Sequence, residues 1–152
     1  MTANNKGTAE VSIREFQLSD YATVLDLWTA AGLSFRPRGR DSYERLAAEL
    51  NRGRAVFLVA ESEGRLVGTV LGTHDGRKGW INRLAVAPEW RRRGIARLLV
   101  RQVETRLKTL GLEITAALVE VSNEGSLRFF SAMGYKRDSQ IEYLSRRRSS
   151  ET

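Results

Sequence analysis

Arg91-Arg92-Arg93-Gly94-Ile95-Ala96 follows Pro88 and the apolar run Leu84 to Ala87, and its residue types are those of an anion-binding turn. The stretch reads as a strand end, a cationic turn, and a helix that opens at Gly94 and continues through Arg97, Leu98 and Leu99. The first backbone N–H groups of such a helix have no partner within it, and its aligned peptide dipoles place partial positive charge there. A phosphate can therefore be held largely by main chain. Gly94 and Ala96 keep side chains out of the way, while Arg91, Arg92 and Arg93 raise the local potential with groups suited to bidentate phosphate contact.

Few other residues could take part in a reaction. A strand is expected over Ile114 to Val121, and its period of two puts Ile114, Ala116, Leu118 and Glu120 on one face. A carboxylate closing an apolar row is a candidate general base, because burial would raise its pKa. His74 is the only histidine, and beside Asp75-Gly76 it reads as an exposed turn residue. The absence of cysteine excludes disulfides, thiolate metal sites and a cysteine nucleophile, and no metal site is expected. No Gly-x-Ser-x-Gly elbow is present either, so nothing points to a covalent enzyme intermediate.

The elements that must position these residues follow from periodicity. Val11 to Phe16 alternates as a half-buried strand does. Ser19-Asp20 offers an N-cap for a helix whose face carries Val24, Leu25, Trp28 and Ala31 and which ends near Gly32. After the basic loop Ser34 to Arg40, Asp41-Ser42 caps a second helix that closes before Gly53. Ala55 to Ala60 and Leu66 to Leu71, joined by Glu63-Gly64, form a hairpin, and the turn His74 to Gly79 leads to a strand over Trp80 to Val86. Alternation along that strand places Trp80, Asn82, Leu84 and Val86 on one face and Ile81, Arg83 and Ala85 on the other. The helix after Gly94 is amphipathic, with Ile95, Leu98, Leu99, Val103, Leu107 and Leu110 on its apolar side. Asn123 can cap a short helix ending at Gly134, and Tyr135 to Tyr143 is expected to complete the domain in strands.

A chain of 152 residues is expected to form one domain, with an ordered core over about residues 11–145 between mobile polar and Arg/Ser-rich ends. No apolar run approaches the roughly 18 to 20 residues that span a bilayer. No membrane partner is expected, and the start of the chain lacks the apolar stretch of a secretory signal, so a cytoplasmic location is the default. The net charge of +7 raises the question of nucleic acid. The arginines cluster at Arg36/Arg38/Arg40, Arg91 to Arg93 and Arg146 to Arg148 without a nucleic-acid motif, which argues against that partner. Exposed edge strands offer a route to a homodimer, although no interface is located by sequence.

Two signatures together carry a resemblance. Leu84-x-Val86-x-Pro88 followed by Arg91-x-x-Gly94-x-Ala96 resembles the coenzyme A pyrophosphate loop of the Gcn5-related N-acetyltransferase (GNAT) superfamily. Asn123 to Tyr135, with Leu127, Phe130 and Gly134 at its marked positions, is similar to that family's second signature. The resemblance implies an α/β (α+β) GNAT fold: a mixed, mostly antiparallel sheet of six to seven strands flanked by about four helices, its central strands splayed apart. It also implies an acetyl-CoA-dependent N-acetyltransferase that passes the acetyl group directly to a primary amine of a small molecule or peptide. The implied donor contacts are Leu84, Ala85 and Val86 on the strand, then Arg91, Arg92, Arg93, Gly94, Ile95, Ala96 and Arg97, with Asn123 and Phe130 from the second signature. Phe130 stands where relatives usually carry a tyrosine able to protonate the departing thiolate, and a phenyl ring has no proton to give. The acceptor would be met by the Phe35 to Asp41 loop and the His74 to Gly79 turn, with Phe35, Arg36 and Arg38 as candidate contacts, and Arg36, Arg38 and Arg40 would favour an amine that also bears carboxylate or phosphate, including an acidic peptide. The rival is a non-catalytic acyl-CoA-binding or partner-binding module on the same fold, favoured by Phe130 and the lack of an obvious base.

Overall fold

Alternating apolar and polar residues near the start of the described chain form strand β1 (Ser12–Glu15), the first of five strands in a single sheet. The structure is a computed structural model that describes residues 10–152; the polar stretch 1–9 lies outside the described residues. β1 pairs antiparallel with β2 (Ala55–Ser62), which turns at Glu63-Gly64 into β3 (Arg65–His74). Both turn residues have positive φ, 52° and 73°, as a two-residue hairpin loop matched to strand twist requires. β3 pairs antiparallel with β4 (Gly79–Val86), and β4 pairs in parallel with the short β5 (Thr115–Ala117). The sheet is thus mixed and mostly antiparallel, in the order β1-β2-β3-β4-β5.

Between β1 and β2 lie helices α1 (Tyr21–Ala31) and α2 (Tyr43–Asn51). They cover one face of the sheet, where Trp28, Val24 and Leu46 pack with Phe16, Phe57, Val59 and Leu71. Ser42 caps α2 by accepting a hydrogen bond from the Arg45 N–H. Asp20 does not cap α1. Its carboxylate instead accepts from the Gln17 N–H at 2.9 Å and pairs with the Arg14 guanidinium at 2.8 Å, closing a 3-10 turn that feeds the helix.

The opposite face belongs to α3 (Ile95–Thr109) and α4 (Glu124–Ala132). Ile95, Leu99, Val100, Val103 and Leu107 of α3 are all buried. The helix lies close to the sheet because glycines stand beneath it. A Cβ at Gly68 would sit 3.0 Å from Leu99, one at Gly72 would sit 2.5 Å from Val103, and one at Gly79 would sit 2.5 Å from Leu107. These three positions form a smooth groove that the helix ridge fills.

Three expectations about the sheet are corrected. Among the described residues it has five strands rather than six to seven, because no strand forms after Tyr135. There Asp138 closes a turn onto the Gln140 N–H, and Ile141, Tyr143 and Leu144 remain exposed. β5 stops at Ala117 because its partner turns away. The residue after next on β4 is Arg83, with φ of 47°, where Arg83 and Leu84 bulge opposite Val70. The same bulge changes the phase of β4. Ile81 now shares the α3 face with Leu84 and Val86, while Asn82 and Ala85 face α1 and α2.

Two glycines test this packing with opposite signs. Gly72→Ala is expected to lower the urea unfolding free energy by about 1–3 kcal/mol through overpacking against Val103. Gly125→Ala, within α4 and with only Asn123 Oδ1 at 3.9 Å from the added carbon, is expected to raise it by about 0.4–1 kcal/mol. The Arg14 side chain holds the Asp20 carboxyl below its ordinary pKa. That contribution is present above the ordinary carboxylate range and is lost as the pH falls through the depressed value. Acid unfolding followed by circular dichroism should be less steep in Asp20→Asn.

Candidate functional site

β4 and β5 are neighbours only from Gly79 to Ile81, and β4 runs on to Val86 with no β5 partner. The central strands are therefore splayed. Past Val86 the chain makes a 3-10 turn, Pro88–Trp90, and reaches the arginine run. Trp90 is buried and anchors the turn in the core, while the Arg93 guanidinium lies over its ring at 4.5 Å. Arg92 has φ of 61° and Gly94 φ of 78°. A chain passing through the left-handed region at alternate residues aims successive N–H groups into one concavity. α3 then begins, its first internal bond running from the Leu98 N–H to the Gly94 carbonyl. Among the described residues no side chain caps this end, and no acidic residue lies in its first turn. The open N–H groups and the dipole favour an anion at this exposed helix start, with Arg92 and Arg97 exposed on either side of it in the chain.

The candidate donor contacts have different situations within this arrangement. Arg92, Arg93, Gly94 and Arg97 are exposed and Ala96 is partly so, whereas Ile95 is buried and can offer only its main chain. Arg91 is already engaged. Its Nε donates to the Val86 carbonyl at 3.3 Å and its Nη2 to the Ala31 carbonyl at 3.0 Å, tying the end of β4 to the end of α1. Leu84 and Val86 pack on the α3 side of the sheet and Ala85 on the other. Asn123 lies at the start of α4, where its Oδ1 accepts from the Ser126 N–H at 3.1 Å, so its role in the fold is that of a cap. Phe130 is 9% exposed and packs edge-on against Phe129 and Tyr135 in the α3-side core.

The reasoning that made Glu120 a base does not hold. It lies beyond the end of β5 and is exposed, and the row before it is open as well, with Ile114 and Leu118 more than half exposed. His74 also departs from expectation, since it ends β3 half-buried, with Nδ1 accepting from the Gly76 N–H. Tyr135 packs edge-on against Phe130. Burial pushes its hydroxyl pKa up to about 12, and the hydroxyl has no hydrogen-bond partner among the described residues.

Phe35, Arg36 and Arg38 lie on the loop between α1 and α2. Phe35 packs on Trp28, while the Arg36 Nε donates to the Ser150 carbonyl at 3.1 Å. Arg38 is 3.7 Å from Glu151, and Gly39 lies directly against the Glu151 backbone. The C-terminal residues therefore touch this loop.

The residues that hold the loop to the sheet are Asp41 and Arg83, neither of which was singled out by sequence. Arg83 Nε and Nη2 donate to the two Asp41 oxygens at 2.9 and 2.7 Å. Their side chains are only 16% and 5% exposed. One signal was available: Arg83 is a charge inside an otherwise apolar strand end. Asp41 gave no such signal, because beside Ser42 it looked like half of a cap.

Splayed strands, a main-chain anion cradle at the foot of α3 and a second helix started by asparagine are the parts of an N-acyltransferase of the GNAT type. The acetyltransferase (GNAT) family model matches residues 21–135, and the chain belongs to that family. Its fold is shared with PaiA N-acetyltransferase from Thermoplasma acidophilum, solved in complex with coenzyme A, at 23% identity and a TM-score of 0.75, covering 87% of this chain and 93% of that one. It is likewise similar to glucosamine-6-phosphate N-acetyltransferase from Arabidopsis thaliana (17% identity, TM-score 0.73, 92% and 99% covered). A third structure, an aminoglycoside acetyltransferase from an uncultured soil metagenomic sample in complex with sisomicin, matches at 18% identity and a TM-score of 0.75 over 91% and 97% of the chains.

Gly94→Ala is expected to cost about 1 kcal/mol in urea unfolding, since alanine resists the positive φ. It should also reduce the thermal stabilisation that inorganic pyrophosphate gives the wild-type protein. An unchanged pyrophosphate response would place the anion site elsewhere.

Proposed function

We propose that this protein is an acetyl-CoA-dependent N-acetyltransferase acting on a primary amine in the cytoplasm. The observation that carries the reading is the uncapped start of α3 beside a strand whose last residues have no β5 neighbour. Main-chain N–H groups of Gly94 to Arg97, helped by Arg92 and Arg93, hold the donor's pyrophosphate. Leu84 to Val86 line the path of its pantetheine arm with main chain, which accounts for an apolar sequence at a polar task. Asn123 remains a contact for the same arm through its amide NH2 group, the oxygen being used by its helix.

Acetyl-CoA supplies an activated thioester. The amine attacks the carbonyl carbon, the C–N bond forms as the C–S bond breaks, and the sulfur leaves with the bonding pair. A backbone N–H near Val86 stabilises negative charge developing on the carbonyl oxygen. The amine's surplus proton passes to water, and the departing thiolate takes its proton from water as well, since Phe130 carries no hydroxyl to give one. Acceptors named for the similar structures, glucosamine-6-phosphate and an aminoglycoside, support an amine on a polar small molecule. Arg38, whose side chain is 85% exposed, is the arm of the acceptor loop that would meet an acid on it.

The second reading, a binding module without turnover, is favoured by one observation. Phe130 is enclosed in the core, and the hydroxyl packed beside it, that of Tyr135, has its pKa pushed up to about 12 by burial.

Titration calorimetry of acetyl-CoA into the protein, followed by a thiol-release assay with polyamines, amino acids, aminoglycosides and N-terminal peptides, separates these readings. Binding with coenzyme A release for one class of amine is the expected result. Binding without release for every class would favour the module, and no binding would remove both.

A further inference from the structure

We infer that Asp41 and Arg83 act as a positioning couple that holds the loop between α1 and α2 in register with the β4 bulge, and so sets where an acceptor amine lies relative to the acyl carbonyl. The inference rests on the transferase reading above and assigns a role to two residues outside the donor site.

The bulge residue is restrained from both ends. Arg83 adopts φ of 47°, a conformation that is uncommon for a residue with a long side chain and is kept only where its surroundings impose it. Its carbonyl accepts from the Thr69 hydroxyl at 3.2 Å, and Thr69, fully buried, accepts in turn from the Trp28 indole N–H at 2.9 Å. Its guanidinium lies 5.9 Å from the centre of the Trp28 ring and ends in the fork on Asp41.

Asp41 passes this restraint to the loop. Besides the two bonds from Arg83, its carboxylate accepts from the Arg36 N–H at 2.7 Å, which closes residues 36–41 on themselves. Its own carbonyl accepts from the Tyr21 hydroxyl at 2.9 Å, tying the same point to α1. The other end of the loop is tied through Arg91, which bonds both the Ala31 and Val86 carbonyls. The loop is therefore fixed at one end to Arg83 and at the other to Val86. These residues lie within the part of β4 that lacks a β5 partner, from Asn82 to Val86, so the loop borders the main chain that the acyl carbonyl would meet.

Energetics favour a geometric role. A surface ion pair contributes little, and a nearly buried one recovers its desolvation only with good geometry and full hydrogen bonding. The Asp41–Arg83 pair has the two-pronged geometry and a third bond from the Arg36 N–H, and an apolar pair of the same volume could fill the space. An apolar pair could not transmit direction between a loop and a bulge.

The test compares wild type with Asp41→Asn, which keeps the shape but removes the charge, and Arg83→Lys, which keeps the charge but loses the fork. Three quantities are measured: acetyl-CoA affinity by calorimetry, kcat/KM for whichever panel amine the wild type acetylates, and amide exchange of residues 36–39 and 84–86. The expected result is acetyl-CoA affinity within about twofold of wild type, with acceptor kcat/KM reduced roughly ten- to a hundredfold, as a small misplacement of a reactant produces. The double variant should be little worse than either single one, because the two residues act as a unit. Exchange should rise in the loop and the bulge together.

Acceptor kcat/KM within about twofold of wild type in a folded variant would overturn the inference, as would acetyl-CoA affinity falling by the same factor as kcat/KM. Should Asp41→Asn fail to fold, Arg83→Lys carries the same comparison. A wild-type protein that binds acetyl-CoA but acetylates nothing overturns the transferase reading, and the acceptor role with it. In that event the exchange data still decide whether the pair couples the loop to the bulge.

Discussion

Strand β4 has to serve two neighbours whose demands diverge, and the architecture follows from how that conflict is resolved. Its β3 edge is paired along nearly the whole strand, but its β5 edge is paired for only three residues. The break comes at Arg83, where one extra residue opposite Val70 bends the strand and turns its main chain away from β5. A bulge of this kind would be strained on its own. Here Thr69 takes up the carbonyl and Asp41 the guanidinium, so the cost of positive φ is met by bonds already buried in the core.

The consequence for chemistry is one of placement. The bulge leaves Leu84 to Val86 beside a gap, and the 3-10 turn with buried Trp90 carries the chain from that gap to the first turn of α3. α3 can lie tightly over β3 and β4 because Gly68, Gly72 and Gly79 leave no side chains beneath it. Close packing makes the helix start a rigid point relative to the strand end. An anion held there keeps a constant distance from β4, which a donor molecule bound across both would require.

Basic residues that look alike in the sequence divide by what they touch. Arg91 is committed to two carbonyls and works as a clamp between α1 and β4. Arg92, next to it, is exposed at the cradle, and Arg93 lies on Trp90. Arg36 reaches the C-terminal residues, while Arg83 is drawn into a nearly buried pair. Several of the arginines behind the net positive charge are thus committed to structural ties.

Local rules were enough for much of this. Periodicity marked the four helices and the strands from β1 to β4, and the glycine after the arginines marked the start of α3, because these features depend on residues near one another in the chain. The caps at Ser42 and Asn123 were legible for the same reason. Strict alternation failed on β4, since one residue in the left-handed region reverses every face after it, and no short-range signal announced that at an arginine. The row ending in Glu120 looked buried only if a strand continued past Ala117, and that depended on a neighbour already turning away. The pairing of Asp41 with Arg83 joins residues 42 apart in sequence. By itself the sequence determined the four helices, the strands from β1 to β4 and the glycine turn that opens α3, all consequences of short-range hydrogen bonding and patterning. Tertiary structure alone decided which strand edges stay open, which charges are buried and what the acceptor loop is fastened to, because those depend on contacts that exist only once distant segments share a core.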